Sequence, residues 1–163
     1  MPEFSYQQTL ENLQKIVTRL MANDRLVNLL YYTDKDPLNQ PPLTKEQKQE
    51  LIFEKLIKIV PRIGPKEDAK SIVVIKAVRA NKISSNTEFK DVKIQIEVFV
   101  PLTQWFIKDA NLRPYLILGE IEESLNEKKV NGLGKMIGGD FDTNFYTEEM
   151  STFEQTFWIT SYE

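Results

Sequence analysis

Val92-Lys93-Ile94-Gln95-Ile96-Glu97-Val98-Phe99-Val100 decides how the chain is read, because its β-branched residues return at every second position. A period of two puts Val92, Ile94, Ile96, Val98 and Val100 on one face of an extended strand and Lys93, Gln95, Glu97 and Phe99 on the other, as in a sheet buried on one side. Upstream, Ile72-Val73-Val74-Ile75 with Ala77 and Val78 forms a denser apolar run suited to a central strand. The polar segment Asn81 to Thr87 turns the chain, so the two runs are expected to pair as a hairpin with a long connection. A last strand is expected from Phe153 to Tyr162, with Phe153, Gln155, Phe157 and Ile159 on one face and Glu154, Thr156, Trp158 and Thr160 on the other.

Before this sheet the period is helical. From Ser5 to Met21 the residues Leu10, Leu13, Ile16, Val17, Leu20 and Met21 form one stripe, and Ser5 with Gln8 fits a capping box. A short helix from Asp24, its expected cap, to Tyr32 ends at Thr33-Asp34-Lys35-Asp36-Pro37, and the polar stretch from Thr33 to Leu43, with three prolines, reads as a loop. Thr44 and Gln47 repeat the box, with Leu43 placed as a staple, and a third helix is expected to run to about Ile59 before Pro61 and Gly64-Pro65. Its broad apolar coverage, Leu51 to Val60, suggests burial on two sides or a subunit contact.

After the hairpin, Trp105-Phe106-Ile107 extends or leaves the second strand and Asp109-Ala110-Asn111 is turn material. A helix is expected from about Arg113 to Lys128, with Pro114 in its first turn, Leu112, Leu116, Ile117, Ile121 and Leu125 facing one way, and Glu120, Glu122, Glu123 and Glu127 in water. The segment Asn131 to Asp140 then holds four of the six glycines, Gly132, Gly134, Gly138 and Gly139, around Lys135. The fold class that follows is α+β: a mostly antiparallel sheet, N-terminal helices and one helix between strands packed on it. Its 163 residues suit one domain, 1–163, with a helical part over 1–60 and a sheet-containing part over 70–163.

Composition narrows the function. The chain has no cysteine and no histidine, so disulfides, thiolate ligands, a thiol nucleophile and the usual serine-activating base are all absent. Twenty-one basic and 24 acidic residues are mixed along it, without the global positive field that favours nucleic acid. No stretch approaches the length of a membrane span, and Met1-Pro2-Glu3-Phe4-Ser5 lacks a signal-peptide pattern, which points to synthesis in the cytoplasm.

Each candidate site has a plain structural counterpart. The glycine cluster could hold an anion, but it follows a helix, has no Gly-Lys-Ser or Gly-Lys-Thr, and opens onto Asp140 and Asp142, so a hairpin or a flexible assembly loop is favoured. Asp34, Asp36, Asp140 and Asp142 lack calcium-loop spacing and read as solvated loops, and Glu122-Glu123 and Glu148-Glu149 read as a solvated face. The lysines of the third helix, Lys45, Lys48, Lys55 and Lys58, are interleaved with Glu46, Glu50 and Glu54. Tyr31, Tyr32, Trp105 and Phe106 are aromatic interface candidates, for which a core position is the equal alternative. No catalytic, metal or cofactor site is expected, and the chain reads as non-enzymatic.

Leu29-Leu30-Tyr31-Tyr32-Thr33-Asp34, then Asp36-Pro37-Leu38, the two long strands, and Ile107-Lys108-Asp109-Ala110-Asn111-Leu112-Arg113-Pro114 leading into Ile117 and Ile121 follow an order of elements that resembles tailed-phage neck and tail-completion proteins, including tail terminators. The resemblance covers about Leu26 to Tyr162. It implies a virion protein whose copies form a ring capping the tail tube or joining it to the head, with neighbouring neck and tail-tube proteins as partners. It leaves room for a non-specific DNA contact in the ring lumen, without requiring one, and implies no membrane partner. The interface candidates under that reading are the four aromatics with Arg113, Gly132, Gly134, Lys135, Gly138 and Gly139. A protein-binding adaptor or regulator acting through the helical N-terminus is the alternative.

Overall fold

The computed structural model describes residues 6–60, 70–82, 89–127, 129–130, 134–146 and 149–160. Along the chain run α1 (Tyr6–Met21), α2 (Asp24–Tyr31), α3 (Lys45–Leu51), β1 (Ile57–Lys58), β2 (Ile72–Lys82), β3 (Phe89–Pro101), β4 (Phe106–Ile107), β5 (Asn111–Leu112), α4 (Arg113–Leu125), β6 (Lys129–Val130), β7 (Gly134–Tyr146) and β8 (Met150–Thr160). One sheet has the order β1-β2-β3-β8-β7-β6, and β4 and β5 form a separate small hairpin. Only β1 and β2 run parallel in the large sheet; the remaining pairs are antiparallel. The architecture is therefore α+β with a mostly antiparallel sheet, as the sequence predicts.

The alternation of β3 is what makes the sheet two-sided. Val92, Ile94, Ile96, Val98 and Val100 are all buried, and the register with β8 continues this inner face through Phe157 opposite Ile94 and Phe153 opposite Val98. On the other side, Ile75 opposes Ile96 and Val73 opposes Val98. α1 and α4 pack on this face, and α2 packs against both helices. The opposite face carries Lys93, Gln95, Glu97, Glu154, Thr156 and Trp158, each at least partly exposed. A buried Gln155 ties the layers together: its Nε2 donates to Leu118 O of α4 at 2.9 Å.

Four expectations need correction. The third helix ends at Leu51 instead of near Ile59. Glu54 takes a positive φ of 58°, and Val73 N donates to Leu56 O at 2.7 Å, so the following turn feeds Ile57 into the sheet edge. Strand pairing and burial in that turn account for the broad apolar coverage that a helix alone does not require. The cap of α2 is Asn23, whose side chain accepts from Leu26 N, and Asp24 is the first helical residue. Leu10 of the predicted α1 stripe is 47% exposed, while Asn12 is buried. Ser5 and the connection 83–88 lie outside the described residues.

The largest difference is at the glycines. From Gly134 onward the segment is β7, a full-length strand of the sheet and not a loop. The hairpin alternative holds, since β6 and β7 pair through Lys129 opposite Lys135 and Val130 opposite Gly134. Gly138 and Gly139 have φ of 146° and 102°, and the register against β8 slips between Gly138 and Asp140. A bulge that needs left-handed backbone favours glycine, and this is why a strand here escapes a search for alternating β-branched residues. Removal of Gly132 to Gly139 is therefore expected to damage the sheet, not to spare it.

Candidate functional site

Arg113 sits where the fold's parts meet. Its side chain is fully buried, and its guanidinium donates to four backbone carbonyls: Nε to Gln104 O at 2.9 Å, Nη1 to Leu29 O at 2.5 Å and to Tyr32 O at 2.9 Å, and Nη2 to Asp34 O at 2.8 Å. Its own N–H donates to Trp105 O at 2.8 Å. Burial pushes its pKa below the ordinary arginine value, and nearby Asp34 opposes that shift. A planar fork of five donors suits several fixed acceptors, which a lysine ammonium does not match. Arg113 is thus an internal clamp between the end of α2, the loop after it and the start of α4. Its sequence-based assignment as an interface residue meets a side chain that is fully buried, with four of its five N–H groups given to these carbonyls.

What the clamp holds is the β4–β5 hairpin. Phe106 opposes Leu112 and Ile107 opposes Asn111, and the turn between them puts both Asp109 and Ala110 in left-handed backbone, with φ of 64° and 58°. Two consecutive non-glycine residues there are uncommon and carry a local cost. The turn is pinned to the loop after α2 by Lys108 N donating to Lys35 O, while Lys108 Nζ lies 3.6 Å from the Asp36 carboxylate. Between them a cleft of about 240 Å³ is lined by Arg25, Lys35, Asp36, Leu38, Lys108 and Asp109 among others. On the far side of the hairpin Phe106 is 69% exposed.

The other aromatic candidates divide. Trp105 is half-buried, packs on Phe153 at 6.0 Å between ring centres, and donates from Nε1 to Ser151 Oγ at 2.9 Å, so it belongs mainly to the core. Tyr31 and Tyr32 meet edge to face at 5.1 Å; Tyr32 donates to Pro41 O, and Lys70 Nζ lies 3.7 Å over the Tyr31 ring. Both are half-buried and brace the loop 33–43. Phe106 alone of the four stands clear of the core. Gly134, Lys135, Gly138 and Gly139 lie in β7, and Gly132 lies outside the described residues.

Sequence reasoning missed Tyr115 and Phe141. Tyr115 of α4 is 45% exposed and Phe141 of β7 is 49% exposed, with ring centres 6.3 Å apart in an edge arrangement. Through Phe153, at 5.8 Å from Tyr115, this pair is continuous with the core. Pairing a helix residue with a strand residue so far along the chain leaves no periodic signal in the sequence. The acidic residues are spread out: Asp34 accepts from Asp36 N and Gln40 Nε2, Asp36 accepts from Asn39, and Asp140 and Asp142 stand on β7. No group of three or more metal-ligating residues occurs among the described residues. No described helix is long and apolar enough to cross a membrane.

Compared with known proteins, the family model of YomW matches residues 23–157, from the cap of α2 to near the end of β8. The family is phage-derived, and its name carries no function. No curated protein matches the chain.

Proposed function

The chain belongs to the YomW family, and on that footing we propose that it is a structural protein of the phage particle. In this reading it sits at the neck or the tail end and works by assembling into a ring that docks on neck and tail-tube proteins. The observation that supports it is the β4–β5 hairpin. A strained turn and a buried arginine clamp hold an exposed Phe106 in a fixed position, a costly arrangement for the isolated chain and a suitable one for an anchor inserted into a neighbour. A ring requires such an anchor to meet a different patch on the next copy. The chemistry of this surface is that of contact, not of bond making, and DNA passing a lumen would be held weakly and with strong salt dependence.

Light scattering across protein concentration, followed by negative-stain imaging, tests this. The expected result is a closed ring for the natural chain and a monomer for Phe106→Asp with an unchanged melting temperature. A natural chain that remains monomeric alone and with candidate neck and tail-tube partners overturns the proposal. A second reading, an adaptor acting through the N-terminal helix, draws on Tyr6 and Leu10, exposed by 78% and 47% at one-turn spacing on α1. Leu10→Glu separates the two, since it abolishes partner capture by the adaptor and leaves the ring intact.

A further inference from the structure

The outer side of β7 changes character at its bulge. Up to Gly138 it is covered: β6 pairs at Gly134 and Lys135, Glu127 N donates to Met136 O at 2.8 Å, and Gly138 N donates to Asn126 Oδ1 at 3.1 Å. From Asp140 to Thr143 no described strand pairs on that side; β8 occupies the other. The register says which groups are left. Gly138 directs its N–H outward and opposes Phe157, while after the bulge Asp140 opposes Thr156, so Asp140 and Asp142 bond inward to β8. Phe141 and Thr143 then present their N–H and C=O to the outside.

The side chains give this edge a pattern. Asp140 and Asp142 are exposed on the sheet face away from the helices, and Asp142 shares a cross-strand row with Glu154 and Glu97. Lys76 pairs with Glu97 of this row, while Asp140 and Asp142 have no ion pair among the described residues. Phe141, between them, turns to the opposite face against Tyr115 and stays half exposed. The edge reads acid, aromatic, acid, with no described strand paired to the backbone between.

We propose that this edge accepts an extended segment of another protein as an added strand, basic at alternate positions and apolar between them. Backbone hydrogen bonds to Phe141 and Thr143 supply the register, Asp140 and Asp142 select lysine or arginine on one face, and Phe141 with Tyr115 selects an apolar side chain on the other. A second copy is disfavoured as the occupant: two-fold antiparallel pairing centred on Phe141 sets Asp140 opposite the second copy's Asp142, and like charges directly opposed destabilise a sheet. The inference does not depend on ring formation.

The test uses the full chain, isotopically labelled, and a synthetic peptide alternating lysine and valine. Controls are a peptide with glutamate for lysine and an isomer with its lysines in one block. The alternating peptide should bind and slow amide exchange at Phe141 and Thr143. The double reversal Asp140→Lys with Asp142→Lys should weaken it by about tenfold or more, counting lost pairs and new repulsions. Thr143→Pro should weaken it similarly, because it removes an outward donor and no ladder bond to β8. Equal binding of the block isomer would reduce the site to charge attraction and overturn the proposal. So would binding that survives the charge reversal, or protection that appears elsewhere. Should Thr143→Pro not fold, the reversal and the exchange pattern still decide.

Discussion

β3 and β7 are each 13 residues long and lie in one sheet, but among the described strands β3 has neighbours along both sides and β7 fully along one. β3 runs against β8 without a break from Asp91 to Pro101, whereas β7 slips against the same strand twice, between Gly138 and Asp140 and between Thr143 and Phe145, and β2 slips against β3 between Ala77 and Arg79 and between Ala80 and Lys82, beyond its pairing with β1 at Val73 and Val74. A stretch of strand paired on both edges and packed beneath keeps its period of two. A strand with one open edge can carry an extra residue, because the mismatch is released outward. Irregularity thus collects where no described strand pairs on the other side, which is also where backbone groups remain for a partner.

That contrast can be broken by substitution. Ile94→Ala, between Ala77 and Phe157 in the packed centre, should cost about 2–5 kcal/mol in denaturant unfolding; a small loss would mean the centre is looser than its burial implies. Gly138→Ala should cost about 2 kcal/mol, since the added Cβ would lie 2.4 Å from Thr156 O on backbone that L-residues avoid. Asn126→Ala should cost about 1 kcal/mol and speed amide exchange at Gly138, whose N–H it caps. Thr143→Pro should change stability by less than about 0.5 kcal/mol. If the last two matched Ile94→Ala, the edge would be as integral as the centre and the contrast would fail.

The parts legible in sequence share one property: each is specified by near neighbours. The alternation of Val92 to Val100 gave its face, Thr44 and Gln47 close the box that starts α3, and Pro114 lies in the first turn of α4. The turn at Asp109 and Ala110 was legible too. The length of α3 was not, because the residues after Leu51 are apolar enough for a helix, and the sheet edge offered by Val73 and Val74 draws Ile57 and Lys58 into pairing. β7 was not, because glycines at its bulge erase the pattern on which strand recognition relies. At the candidate site, the exposure of Phe106 and the partial burial of Tyr31, Tyr32 and Trp105 were equal alternatives until the packing separated them.

The sequence by itself determined the α+β class, the inner face of the central strands and the absence of cysteine and histidine, since these follow from composition and from periods a few residues long. Only the tertiary structure decided that Arg113 is a clamp, that the glycine segment is a strand, and that no described strand pairs beside Asp140, Phe141 and Asp142. Arg113 collects carbonyls from Leu29, Tyr32, Asp34 and Gln104, up to 84 residues away. An edge is defined by what does not pair beside it. Both are relations between distant segments, and a linear pattern carries no term for them until the chain has closed on itself.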